Sequence, residues 1–357
     1  MVVDFLIGGM GGGVFVGEDA TFNMRDGGIS GNISANAGGG VFVGGYGGGV
    51  FNMHDGKISD NIAANAGGGV FLDATFNMYV GTISGNTASS GGGVFVGVAG
   101  DNGEFIMRNG TISGNTAIAT WASGGGVYVY GAFTMEGGTI SGNTSTRRGG
   151  GVGVGDTGEF VMRNGEISGN YAVSETVWVQ GGGVNILGAF VMYNGTILDN
   201  TASGYWAQGG GVLVDCYDNG FFVMRGGRIS GNRAISNTAG WVNGAGVHVG
   251  NYSPGGGTFR MSGGIINGDN VGSHVDNTDG FYSTLTAGGT ATAQYGRFEN
   301  GTFIYSGDLI PTHLAVEVVD GVLQGLGSAI GFTLTAGNHL GVVAATEVPF
   351  TIGSEWR

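Results

Sequence analysis

Between residues 11 and 270 the chain repeats one pattern nine times: Gly-Gly-Gly-Val, an apolar alternation, Phe-x-Met-x-x-Gly-x-Ile, and usually Ser-Gly-Asn. The methionines Met24, Met53, Met78, Met107, Met135, Met162, Met192, Met224 and Met261 are all those in the chain apart from Met1 and Met10. Each has Phe two residues before it, Gly three after and Ile five after. A unit this short cannot bury its apolar face alone and must stack on its neighbours, so the repeat demands a solenoid rather than globular domains.

Three short segments in each unit alternate with the two-residue period of a strand: Val-x-Val, Phe-x-Met and x-Ile-Ser. Short strands joined by glycine-rich corners describe one rung of a parallel β-helix, and no helical pattern competes. About nine rungs are expected, at the ~4.8 Å separation of paired strands. In the second unit the alternation points Val41, Val43, Phe51, Met53 and Ile58 inward. The turn asparagines Asn32, Asn61, Asn86, Asn115, Asn143, Asn170, Asn200 and Asn232, with Asp269 at the end, fall in one column suited to an amide ladder. The glycine three residues after each Met is expected to supply a positive-φ corner.

Composition narrows function. With 83 Gly but only 3 Pro, and 41% hydrophobic residues, the chain is neither collagen nor a disordered linker. A formal charge of −14 argues against nucleic acid as partner. The single Cys216 and five scattered histidines lack metal-site spacing, so no metal site or cofactor is expected. No stretch is long and apolar enough to span a membrane, and no signal peptide opens the chain, which reads as a segment of a longer protein.

The pairing of Gly-Gly-Gly-Val with Ile-Ser-Gly-Asn, followed by Thr-Ala at Thr87-Ala88 and Thr116-Ala117, resembles the repeats of polymorphic outer-membrane proteins and of pectin-lyase-like bacterial surface proteins. Where those repeats carry Ala and Phe, this chain usually carries Gly and Ile. The resemblance implies a right-handed parallel β-helix, display at the cell surface or outside the cell, and adhesion to a glycan or to a surface protein of a host or neighbouring cell. The superfamily also contains polysaccharide lyases and hydrolases, which leaves catalysis open. Glu166 and Asp199 are the carboxylates one rung apart that could serve it, though neither belongs to a motif. A third possibility is end-to-end self-association into fibres through open strand edges. Residues 1–270 are read as the β-helix repeat domain. Residues 271–357, with strand signals at 290–298, 302–306, 314–323 and 329–335, are read as a β-rich cap or small β-domain.

Two surfaces are candidate binding sites. Loops after the asparagine turn lengthen toward the C-terminal half and hold Trp121, Trp178, Trp206 and Trp241, which with Tyr171 and Tyr205 form an expected aromatic shelf on one edge. Phe15, Phe42, Phe71, Phe95 and Tyr128 lie between the inward valines of five successive units, so alternation predicts an outward, exposed aromatic strip. Acidic corners such as Glu18-Asp19 and Asp215 read as solvated turns rather than calcium sites.

Overall fold

The computed structural model describes residues 9–44, 48–97, 103–215, 220–236, 242–250, 256–267, 281–283, 292–309 and 315–324. Among these residues there is no helix, and the strands build a parallel β-solenoid. Three long sheets form its walls. The first runs from Val14–Val16 through every Val-x-Val segment to Val247–Val249 and then Phe281–Ser283. The second runs from Thr21–Met24 through every Phe-x-Met segment to Thr258–Met261, and the third from Gly28–Ser30 to Gly264–Asn267. Each residue pairs with its own equivalent one repeat on, as in Val41↔Val70, Phe51↔Phe76 and Ile58↔Ile83.

The columns inside are continuous. Phe51, Phe76, Phe105, Phe133, Phe160, Phe190, Phe222 and Phe259 are almost wholly enclosed. Successive rings lie 4.5 to 4.9 Å apart and nearly parallel. Stacking here is set by the rung spacing itself, because two rings separated by one strand-to-strand step are already in van der Waals contact.

The methionine column explains the glycine that follows it. Gly110 sits at φ +103, and a Cβ there would lie 2.7 Å from Cε of Met78 on the preceding rung. The same interlock joins Gly81 to Met53, Gly138 to Met107 and Gly195 to Met162. Two independent constraints, a positive φ and an occupied Cβ position, therefore fix glycine there.

The asparagines form a directional ladder. The backbone N–H and Nδ2 of Asn86 both donate to Oδ1 of Asn115, at 3.0 and 2.9 Å, while Nδ2 also donates back to the Ile58 carbonyl at 3.0 Å. The pattern repeats from Asn115 to Asn143, Asn170, Asn200 and Asn232. Asp269, the expected end of the column, lies outside the described residues.

A fourth sheet, which the three strand signals do not announce, runs along the turn side from Ile33–Ser34 to Arg233–Ser236. Its first strands contain only two residues, too few for alternation to be legible. A fifth, three-stranded sheet comprises Trp178–Gln180, Trp206–Gln208 and Val242–Asn243.

Past residue 270 the sheets continue and then change direction. Thr292–Glu299 pairs parallel with Thr258–Met261 and then folds back on Thr302–Asp308. Ala315–Val319 pairs antiparallel with Gly264–Asn267 and with Val322–Gln324. Both hairpins turn on left-handed pairs, Asn300-Gly301 and Asp320-Gly321, whose φ values are +49 and +81, and +49 and +77. Asn-Gly and Asp-Gly favour the mirror-image turns whose twist matches paired strands. Buried Leu309, Val316, Val318 and Leu323 join the central core.

Candidate functional site: the tryptophan edge

The longer loops of the C-terminal half fold into a small lobe of their own. Ala172, Ala202 and Ala234 of the fourth sheet face Val179, Ala207 and Val242 of the fifth, and these six form a second buried cluster. Small alanines on one layer and β-branched or small residues on the other allow the two short sheets to approach closely, so the loop side chains are held on a packed support.

That support presents aromatics. Trp178 and Trp206 occupy the same register on adjacent strands with ring centroids 5.5 Å apart. Tyr205 stacks on Trp206 at 5.7 Å. Trp121 is 65% exposed, Tyr171 46%, Tyr205 43% and Trp178 37%, and Trp206 is half-buried. Tyr171 stands slightly apart, on the fourth sheet between Thr144 and Thr201. Of the expected shelf the structure thus brings together Trp121, Trp178, Tyr205 and Trp206, with Tyr171 to one side, while Trp241 lies outside the described residues.

The residue that sequence reasoning missed is Arg147. Its guanidinium lies 3.6 Å from the Trp121 ring centroid and 5.9 Å from that of Trp178, and its Nη1 donates to the Thr120 carbonyl at 3.1 Å. A cation between two indole faces braces both, since the negative ring faces attract it and a nearly buried site weakens competition from water. Arg147 is only 6% exposed, so it acts as a brace within the edge rather than as an outer contact. The doubled arginine before a triple glycine, in the unit between two Trp-bearing loops, was the available signal. Arg148 donates from Nε to Gln180 Oε1 at 2.8 Å. Among the described residues of this lobe the charges are Arg147, Arg148 and Arg233 against Glu175, so the edge is locally positive on a strongly acidic chain.

The strip expected to be exposed is corrected. Phe42, Phe71, Phe95 and Tyr128 do share one column with Phe15, but they are 4, 6, 7 and 9% exposed, and only Phe15 is open, at 56%. They form a third apolar cluster with Ala37, Ala66 and Tyr130. Alternation correctly sends these rings away from the central core, but the segment entering the triple glycine lies over them. At Gly38, φ +67, the backbone comes so close that a Cβ would sit 2.9 Å from Cα of Phe42. Burial pushes the Tyr128 hydroxyl far above its ordinary pKa, assisted by its hydrogen bond with Tyr130. Beyond Tyr128 the column continues through Gly153, Asn185, Leu213 and His248, so the aromatic run ends and Asn185 and His248 are fully enclosed polar side chains.

Glu166 accepts a hydrogen bond from the Ser168 hydroxyl at 2.6 Å, and Asp199 sits in its turn at φ +55. Among the described residues no three His, Cys, Asp or Glu side chains converge as a metal site would require. No helix there is long and apolar enough to cross a membrane, which says nothing of β-barrels. No family model matches the chain, and neither a curated protein nor a solved structure matches it significantly.

Proposed function

We propose that this chain is the rigid exposed part of a bacterial cell-surface protein, an adhesin or stalk that holds a glycan-binding edge away from the cell. In this reading the solenoid is a right-handed parallel β-helix of about nine rungs ended by a β-rich cap, akin to the polymorphic outer-membrane and pectin-lyase-like surface proteins that its repeats resemble. The observation that carries the reading is the braced ladder of Trp121, Arg147, Trp178 and Trp206 on a packed lobe. Exposed indole faces with fixed spacing suit the CH-bearing faces of sugar rings, and a side chain ordered before binding loses less entropy on capture.

The test is retention on immobilised uncharged bacterial and host polysaccharides, with new reducing or unsaturated sugar ends measured in parallel. Retention without cleavage is expected. The double change Trp178→Ala/Trp206→Ala should reduce retention at least tenfold while leaving the circular dichroism spectrum intact. Glycan cleavage, or unchanged retention by the double variant, would overturn the reading.

A further inference from the structure

The residue immediately after each Met points outward from the second sheet, and these residues form a column separate from the tryptophan edge. From the third to the eighth repeat they are Tyr79, Arg108, Glu136, Arg163, Tyr193 and Arg225, and Ser262 follows in the ninth. Backbone hydrogen bonds hold the column in register, with each N–H donating to the preceding methionine carbonyl, for example Arg163 to Met135 and Tyr193 to Met162, both at 2.8 Å. Arg108 lies 4.8 Å from the Tyr79 ring centroid. Arg163 and Arg225 flank Tyr193 at 5.7 and 5.2 Å. Of the six from Tyr79 to Arg225, Tyr79 is half-buried and the other five are exposed.

The spacing is the informative part. Arg108, Arg163 and Arg225 stand on alternate rungs, so their guanidinium groups recur roughly every 10 Å, twice the strand separation. An extended disaccharide spans a similar distance, and a linear glycan with one acid per disaccharide presents carboxylates at that interval. Tyr193, between Arg163 and Arg225, offers a ring face to an intervening sugar, as Tyr79 does beside Arg108, while Glu136 occupies the rung between Arg108 and Arg163. We infer that this column is a second binding site, for a linear acidic polysaccharide carrying one carboxylate per disaccharide.

The neighbouring charges permit this over the stretch from Tyr79 to Arg225. Glu136 partly neutralises Arg108 at 3.7 Å. Glu104 and Glu159 begin the same strands four residues earlier, roughly 13 Å away, beyond the ~8 Å screening length at physiological salt. Glu166, on the third sheet, accepts a hydrogen bond from the Ser168 hydroxyl, and Arg228 stands two rungs on in its column. Toward the N-terminus, Asp26 and Asp55 follow Arg25 and His54 directly, and the match ends there.

Hyaluronan oligosaccharides of defined length are the probe, titrated by calorimetry against dextran, which has rings without charge, and polyphosphate, which has charge without rings. A hexasaccharide spans three arginines. It should bind about tenfold tighter than the tetrasaccharide, the loss of one charge-assisted contact, and an octasaccharide no tighter than the hexasaccharide. Arg163→Gln and Tyr193→Ala should each weaken hexasaccharide binding tenfold or more with the fold unchanged by circular dichroism. Glu136→Gln should strengthen it, and Trp178→Ala/Trp206→Ala should leave it unaltered. Absence of binding, equal binding of polyphosphate, affinity that does not step at the hexasaccharide, or loss of binding only in the tryptophan variant would overturn the inference.

Discussion

A single methyl group decides whether glycine can be replaced in this chain. At Gly110 alanine would meet the Met78 methyl on the rung before and would also adopt a disfavoured backbone angle. Gly110→Ala should therefore cost about 3 kcal/mol. If the contact with Met78 contributes, Gly110→Ala/Met78→Ala should cost at least ~1 kcal/mol less than the sum of the single changes. Additive costs in urea unfolding would show that backbone angle alone is responsible. Tyr128 supplies a second case at this scale. Its folded pKa is raised above the ordinary value of 10.0, so its contribution is complete below that pH and is lost as pH rises above it. The rod should lose stability progressively above about pH 10, and Tyr128→Phe should soften that loss in a thermal-melt series against pH.

At the scale of the element, the turn and the strand carry different kinds of information. The inward columns were legible because a two-residue period repeated nine times leaves no choice of face for Phe105, Met107 or Ile112. The asparagine column was legible by position, but its direction was not, since that depends on which neighbour each amide oxygen faces. The cover over Phe42 and Phe71 escaped because alternation reports which side of a strand a residue takes and not what lies beyond that side. Arg147 escaped because the brace arises between loops of three repeats that differ in length. The ladder's direction makes a testable demand. Asn115 uses its amide to donate to both the Ile83 carbonyl and Asn143 Oδ1. Asn115→Asp removes those donors and sets one carboxyl oxygen against the two acceptors, while the other still accepts from Asn86. Its folded pKa should rise, so the variant should be least stable at neutral pH and regain part of the loss only as pH falls toward about 4. Equal destabilisation at pH 7 and pH 4 would contradict the donor role.

For the whole molecule, an unbroken stack of parallel strands creates a problem at each end, because an open edge and an open core invite pairing with another copy. At the C-terminal side two antiparallel hairpins end the second and third sheets, while the first still ends in the parallel strand Phe281–Ser283. Thr302–Asp308 and Val322–Gln324 replace parallel edges with strands of opposite sense, and Leu309, Val316, Val318 and Leu323 cover the core beyond Phe259, Met261 and Ile266. A second copy cannot continue the parallel register across them. Removing the hairpins, by ending the chain at residue 267, would bare the edges of Thr258–Met261 and Gly264–Asn267 together with those core residues. The shortened chain should therefore associate in a concentration-dependent way in sedimentation velocity, while the full chain sediments as one species over the same range. If the shortened chain stayed monomeric, or the full chain assembled equally well, the hairpins could not be what limits the stack, and end-to-end growth would return as a property of the solenoid.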